Sequence, residues 1–212
     1  MDVESILQGN WEFRVEHKDI RIYSSKVTGS DVLGFKGEFE LQVSLKKLIG
    51  LFHDMENYHR WVHHLVEMDV LERKDITDCL VRQVIETPWP LQNREMIMRT
   101  GLRSGGENSI AVTMKAEPDY LPPNSNYYRV RESSGLWVFT PTDHGSVKVV
   151  FVMHIDPGSD VPSSVSNAGM FEVPFYSLNK LRQLAMDRSY TPPYPEEIEE
   201  HITIIEDVPG TP

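Results

Sequence analysis

Four histidines fall within one short stretch of the chain: His53, His59, His63 and His64. The i, i+4 spacing of His59 and His63 could place two imidazoles on one face of a helix, where they could bind a metal. No carboxylate or cysteine completes a recognisable metal-binding pattern, and Trp61 indicates that the helix is ending. We therefore interpret these histidines as solvated or locally hydrogen-bonded, and we predict neither a metal nor a cofactor.

Cys79 is the single cysteine, which excludes an intramolecular disulfide and an all-cysteine metal site. It could act as a nucleophile only beside a positioned base, and nothing in the sequence marks one. Its place in a predicted strand favours a small buried side chain. Neither the histidines nor Cys79 therefore marks a catalytic or metal site.

Composition is typical of a globular protein and unfavourable for nucleic-acid binding. The chain has 212 residues and a formal net charge of −11, whereas phosphate contacts require clustered Lys and Arg. No apolar run approaches the roughly 20 residues that span a bilayer, and the start, MDVESILQGNWEF, lacks the features of a secretory signal. We expect a cytoplasmic, monomeric protein.

Residues 190–212 are predicted to be an acidic, proline-rich and flexible tail that follows one domain of residues 1–189. From Tyr190 onward there are six acids and no Lys or Arg, so the segment carries six of the eleven excess negative charges. A helical pattern ends at the prolines of residues 191–195.

Ten segments have the alternation or composition of strands and are separated by polar or Gly- and Pro-rich turns, which is the rhythm of an antiparallel meander. They are Trp11–Val15, Ile20–Ser25, Val32–Val43, Val66–Arg73, Asp78–Thr87, Arg94–Arg103, Ser109–Ala116, Tyr127–Arg131, Leu136–Thr140 and Ser146–Ile155. Short helices are predicted over residues 2–8, over Leu45–His53 with Ser44 as N-cap, and over Glu56–Trp61.

Val161–Asp187 has apolar residues at steps of three and four, which predicts one long C-terminal helix with a kink at Pro174. A sheet of this size needs its concave face covered, and this helix is the predicted element long enough to cover it. The fold class is therefore α+β, with a curved antiparallel sheet wrapped around a long C-terminal helix.

Strand alternation and helix periodicity together predict the residues that face the space between sheet and helix. The strand residues are Val81, Gln83, Met96, Met98, Thr100, Val112, Met114, Val149, Phe151 and Met153, and the helix residues are Asn167, Phe171, Phe175 and Leu178. The methionines fit either a soft, solid core or an adaptable cavity. The inward polar groups Gln83 and Thr100 favour a cavity, and Asn167 could bind a ligand or cap a turn.

Several motifs in order resemble the START domain, the steroidogenic acute regulatory protein-related lipid-transfer family, over about residues 8–188. They are Trp11 with Ile20-Arg21-Ile22-Tyr23, Phe35-Lys36-Gly37, Asp54-Met55-Glu56-Asn57-Tyr58-His59-Arg60-Trp61, Pro88-Trp89-Pro90 with Arg94-Glu95, and Asp156-Pro157-Gly158 with Pro162, Asn167 and Leu181-Arg182. The resemblance implies a helix-grip fold with an internal hydrophobic tunnel that binds one lipid-like molecule. It also implies binding or transfer rather than catalysis, with a transient membrane contact.

One departure from the family pattern concerns a buried acid and arginine that some sterol-binding members carry in the tunnel. The corresponding positions in this chain are Val81 and Thr100. The resemblance therefore implies a more apolar tunnel here.

The loop Thr87–Asn93 corresponds to one that flanks the family's tunnel mouth, and a lid is needed for a ligand to enter and leave. We predict a gate formed by Pro88, Trp89, Pro90, Leu91 and Arg94, in which the prolines hold the loop extended. Trp89 could offer its ring to a membrane interface, or it could pack inward and staple the loop to the terminal helix.

Two other functions remain open from the sequence. An enzyme of cyclase or hydrolase type on the same fold would need convergent titratable groups in the cavity. A scaffold domain would instead have a filled core, with any cavity smaller than about 300 Å³.

Overall fold

The computed structural model describes residues 7, 9–106, 108–169, 171–194, 196 and 198–199, and within them ten strands form one sheet. The strands are β1 (Glu12–His17), β2 (Ile20–Ser25), β3 (Gly34–Leu41), β4 (Leu65–Asp75), β5 (Asp78–Ile85), β6 (Arg94–Ser104), β7 (Ile110–Ala116), β8 (Tyr128–Arg129), β9 (Glu132–Pro141) and β10 (Val147–Asp156). Each of the ten predicted strand segments is confirmed. The predicted helix over residues 2–8 lies almost entirely outside the described residues.

Strands from opposite ends of the chain pair in the middle of the sheet. Its order is β1-β2-β3-β10-β9-β7-β6-β5-β4, with antiparallel neighbours, and the short β8 pairs with β6 in parallel. After β3, the helix α1 (Leu45–His53) and a 3-10 helix (Met55–Arg60) carry the chain to β4 at the far edge. The later strands then return until β10 pairs with β3.

Helix α1 begins where the sequence predicts it. The Ser44 hydroxyl accepts a hydrogen bond from the Lys47 backbone N–H at 3.2 Å, which satisfies one of the free donors of the first turn. Leu48, Ile49 and Phe52 are buried on one face of α1. This face packs against the core of the sheet.

The C-terminal helix is divided, and the prediction of one kinked helix over Val161–Asp187 is wrong. The described helices are α2 (Ser163–Gly169) and α3 (Glu172–Met186). Pro174 lies in the first turn of α3, where its missing N–H removes no intrahelical hydrogen bond. The proline is therefore accommodated at a helix start, and the interruption lies several residues earlier than the predicted kink.

The concave face is a solid core over the parts of β3, β9 and β10 that carry Phe39, Phe139 and Val149. Phe39, Val149 and Phe139 lie side by side on these strands and are almost fully buried. Leu178 of α3 is also fully buried and packs over Gly37, where an added Cβ would lie 2.4 Å from the Leu178 Cδ1 atom. The absence of a side chain at Gly37 thus allows α3 to approach the sheet closely.

The first described residues after α3 pack against α1. Pro192 is buried beside Gly50, and Ile198 is 1% exposed within the main core. The Lys46 ammonium lies 2.6 Å from the Glu199 carboxylate. Residues 201–212 lie outside the described part of the chain, and the domain division at residue 189 stays a prediction. None of the described helices combines the length and apolarity needed to cross a membrane.

Candidate functional site

A cavity of about 620 Å³ lies between the other half of the concave face and the C-terminal helices. Most of the predicted lining residues border this cavity. They are Val81, Gln83, Met96, Met98, Thr100, Val112, Met114, Phe151 and Met153. Its volume is within the range of about 300 to 1,000 Å³ that is typical of small-molecule sites. The concave face is therefore solid over one half and hollow over the other.

Five predicted lining residues do not border the cavity: Val149, Asn167, Phe171, Phe175 and Leu178. Val149 and Leu178 are sealed in the solid half of the core. Phe171 packs towards Phe35, with ring centroids 6.4 Å apart, and Phe175 packs towards His17 at 5.3 Å. Phe171 and Phe175 thus make these contacts away from the cavity, and a ligand contact at the five positions stays a prediction.

Asn167 fastens α2 to the loop that precedes β3. Its side-chain oxygen accepts from the Leu33 backbone N–H at 2.9 Å, and its amide donates to the Asp31 carbonyl at 3.0 Å. Both the donor and the acceptor of the side chain are thereby used within the protein. The loop that it holds includes Leu33, which borders the cavity.

Six of the methionines in the described part of the chain border the cavity: Met55, Met68, Met96, Met98, Met114 and Met153. We refer to them as the methionine wall. Thioether side chains are flexible and polarizable, so such a wall can adapt to an apolar ligand. Met55 and Met68 were not predicted, because Met55 lies in a 3-10 helix and the β4 alternation is interrupted by bulges.

The cavity also has an aromatic end that the sequence did not reveal. Phe52, Tyr58, Trp61 and Trp137 border it and pack on one another, with ring centroids 4.8 to 5.9 Å apart. The Tyr58 hydroxyl donates to the Phe52 carbonyl at 2.8 Å, and burial raises the pKa of Tyr58. Tyr58 is therefore a neutral phenol whose hydroxyl proton is already donated to the Phe52 carbonyl.

The cavity reaches the surface at the loop between β5 and β6. Pro88, Trp89, Pro90 and Leu91 all border it, and Trp89 is 92% exposed. The prediction that Trp89 packs inward as a staple is therefore wrong for this structure. Instead, the Thr87 backbone N–H donates to the Asn93 side-chain oxygen at 3.1 Å and closes the base of the loop.

Arg94 anchors the far end of this loop. Its Nε donates to the Pro157 carbonyl at 3.1 Å, and its Nη1 donates to the Gln92 carbonyl at 2.6 Å. Its Nη2 lies 2.7 Å from the Asp160 carboxylate, and the guanidinium stacks over the Tyr128 ring at 4.8 Å. Arg94 thereby ties the start of β6 to the turn before α2, on the two sides of the cavity mouth.

The charged side chains that border the cavity, among the described residues, are Glu86 and Arg94. Glu86 is exposed at the mouth, where its carboxylate lies 3.4 Å from His64 Nδ1. Val81 and Thr100, which border the interior, are uncharged. The interior thus has an uncharged wall.

The clustered histidines lie beside the mouth. His63 and His64 have ring centroids 3.9 Å apart, and His63 Nδ1 lies 3.2 Å from the Lys180 Nζ of α3. Burial, His64 and Lys180 all lower the pKa of His63, because each disfavours the imidazolium. No group of three or more His, Cys, Asp or Glu side chains suited to a metal occurs in the part of the chain described.

Cys79 is buried, and its Sγ lies 3.1 Å from the Asp75 carbonyl, to which the thiol donates. This position agrees with the small buried side chain that the strand pattern predicts. Cys79 does not border the cavity. The thiol is therefore buried and hydrogen-bonded away from the cavity. The side chains that border the cavity offer apolar contacts and hydrogen bonds.

Comparison with known proteins gives consistent matches. The family model of the START domain matches residues 7–184. An uncharacterized protein of Pseudomonas aeruginosa is 24% identical over 182 residues, which cover 86% of this chain and 90% of that protein. A fragment of the STAR-related lipid transfer protein of Xanthomonas axonopodis superposes with a TM-score of 0.77 and 27% identity, over 84% of this chain and 99% of that chain.

The structure of human STARD10 superposes with a TM-score of 0.74 over 95% of this chain and 81% of that chain. At 17% identity this similarity concerns the fold. It agrees with the curved antiparallel sheet and the C-terminal helix described above. Because the family model extends over most of the chain, from residue 7 to residue 184, the chain belongs to the START domain family.

Proposed function

We propose that the protein binds one hydrophobic, lipid-like molecule in the cavity and either transfers it between membranes or senses it. The observation that carries this proposal is a cavity of about 620 Å³ with the methionine wall on one side and an uncharged interior. START domains are in general lipid-binding domains, and the similar protein of Xanthomonas axonopodis is named as a lipid transfer protein.

The proposed ligand contacts are the predicted residues that border the cavity: Val81, Gln83, Met96, Met98, Thr100, Val112, Met114, Phe151 and Met153. The proposed gate is the loop that contains Pro88, Trp89, Pro90 and Leu91, with Arg94 as its anchor. Apolar side chains would supply most of the binding free energy, because ligand sites of this size bury mainly apolar surface.

Binding is a better proposal than catalysis because the titratable side chains at the cavity already have hydrogen-bond or ion-pair partners, or lie at the exposed mouth. Tyr58 donates to a carbonyl, Arg94 is held by two carbonyls and Asp160, and Glu86 lies at the exposed mouth. A cyclase or hydrolase would need an acid and a base converging on the substrate. A buried pair of that kind is not found among the described residues that border the cavity.

The test is native mass spectrometry of the protein purified from a cell extract, together with binding of a fluorescent fatty-acyl probe. Met98→Trp would fill the cavity and should abolish both the co-purified mass and the binding of the probe. Met186→Trp is the matched control, because Met186 is exposed in the last turn of α3 and does not border the cavity. It should bind as the wild type does.

If neither an extracted nor an added apolar molecule binds the wild type, the proposal fails. Equal binding by wild type and Met98→Trp would also contradict it, because the ligand would then lie elsewhere. Turnover of an added apolar substrate would support the enzyme alternative.

A further inference from the structure

Gln83 is a buried amide at the cavity wall whose side chain lacks a hydrogen-bond partner among the described residues. It is 8% exposed, lies in β5 opposite Met68 and Met96, and borders the cavity. Its amide is open to the cavity, because the fully buried side-chain nitrogen or oxygen without a partner among the described residues is Trp61 Nε1. An amide that faces a mainly apolar cavity offers its donor and acceptor to a molecule bound there.

Two other polar groups at the wall, on Trp61 and Ser133, are less available. The Trp61 Nε1 also lacks a hydrogen-bond partner, but the rings of Phe52, Tyr58 and Trp137 pack around the indole and can accept a weak N–H···π contact. Ser133 is directed at the Met98 sulfur, with its Oγ 3.9 Å from Sδ. The Gln83 amide thus offers both a donor and an acceptor to a molecule in the cavity.

An anionic group would lack a cation with which to pair inside this cavity. The guanidinium of Arg94 is neutralised by Asp160 and donates to two backbone carbonyls. Glu86 and Asp160 would repel a carboxylate or phosphate at the mouth. Moving an ionised group from water into such a site without a partner is strongly unfavourable, far more than for a neutral hydroxyl or amide.

We propose that the ligand is an uncharged lipid with one hydrogen-bonding group, a hydroxyl, carbonyl or amide, that is bound by the Gln83 side chain. This inference rests on the proposed function and narrows its ligand class. A fatty-acid anion or an acidic phospholipid is excluded by the same argument. The amide serves either as the donor to a ligand oxygen or as the acceptor from a ligand hydroxyl.

The experiment compares three molecules with one chain length and different ends: hexadecanol, hexadecanoate and hexadecane. Each is delivered from cyclodextrin at pH 8, and binding is measured by displacement of a fluorescent apolar probe. Wild type should bind hexadecanol at least tenfold more tightly than hexadecanoate. Gln83→Leu should weaken hexadecanol binding about threefold to tenfold, the value of one neutral hydrogen bond, and should leave hexadecane binding unweakened.

Gln183→Leu is the matched control, since Gln183 is exposed on α3 and does not border the cavity. It should reproduce the wild-type affinities for all three molecules. Retained hexadecane binding shows that Gln83→Leu is folded.

Equal affinity of wild type for hexadecanol and hexadecanoate would overturn the inference but leave the proposed function standing. An unchanged hexadecanol affinity in Gln83→Leu would do the same. Failure of all three molecules and of any co-purified lipid to bind would remove the proposed function as well.

Discussion

Trp89 presents its indole to solvent at the mouth of the cavity. The exposure of so large an apolar ring is informative because it is placed beside the route that a ligand would take. Tryptophan is enriched where one side of a ring meets lipid and the other meets water. We therefore place the membrane contact of the proposed function at this residue.

Trp89→Ala should change ligand exchange more than stability. Because the side chain is 92% exposed, the free energy of unfolding should change by less than about 0.5 kcal/mol. The rate of ligand transfer to vesicles, or vesicle association itself, should fall several-fold. Phe13→Ala, at an exposed aromatic of β1 that does not border the cavity, should leave transfer unchanged. A variant that mainly loses stability would restore the staple interpretation.

At the residue scale, the part of the site carried by β5, β6 and β7 could be predicted from the sequence. Met96, Met98 and Met114 follow from the two-residue period of strands, which is a local property. Val149 and Leu178 lie in the filled part of the core, where the depth of α3 against the sheet depends on Gly37, a contact between distant segments. Alternation indicates which residues face inward, but it does not indicate where the interior is filled.

At the element scale, the connection between the 3-10 helix and β4 links the gate loop to α3. The His63 backbone N–H donates to the Ser177 hydroxyl at 3.0 Å, and the His64 carbonyl accepts from the Glu86 N–H at 2.8 Å. This connection therefore touches both sides of the mouth. The helix break was not predicted because a helical period continues through residues 161–187, whereas the interruption is set by how α2 and α3 dock.

The stability of the protein should fall as pH decreases from about 7.5 to 5.5. The pKa of His63 is lower in the folded state because burial, His64 and Lys180 oppose its protonation, while Glu172 acts in the other direction. The unfolded state therefore binds more protons at this residue. The contribution is fully present above the unfolded pKa of about 6.5 and is lost as pH falls towards the folded pKa.

Denaturant unfolding across this interval measures the effect. His63→Gln should reduce the dependence of the unfolding free energy on pH, whereas His144→Gln, at an exposed turn, should retain it. Identical pH dependence in wild type and His63→Gln would show that this histidine does not couple folding to protonation.

At the scale of the whole molecule, the described residues of the C-terminal segment pack against the core beyond the last helix. Its acidic composition predicted a flexible tail, yet Pro192 and Ile198 are buried against α1. Two isolated apolar residues among acids gave no periodic signal. Burial here depends on the groove beside Gly50, which becomes visible only in the folded chain.

Ile198→Ala should destabilise the protein by about 2 to 5 kcal/mol, because it removes a fully buried side chain from the core. A chain that ends at residue 189 should lose at least as much stability. Thermal unfolding measures both, with Val66→Ala at an exposed position of β4 as the control. A truncated chain as stable as the full one would support the division at residue 189.

The pairing of β3 with β10 also governs when the cavity can form. Phe35 lies opposite Met153 in the sheet, so β3, which already pairs with β2, gains its second neighbour only after most of the domain has been synthesised. Closing so long a loop is slow, and the edge of β3 stays unpaired until it occurs. Since β10, α2 and α3 complete the cavity, ligand capture should be a late event in the biogenesis of the protein, and occupancy would mark chains that have finished folding.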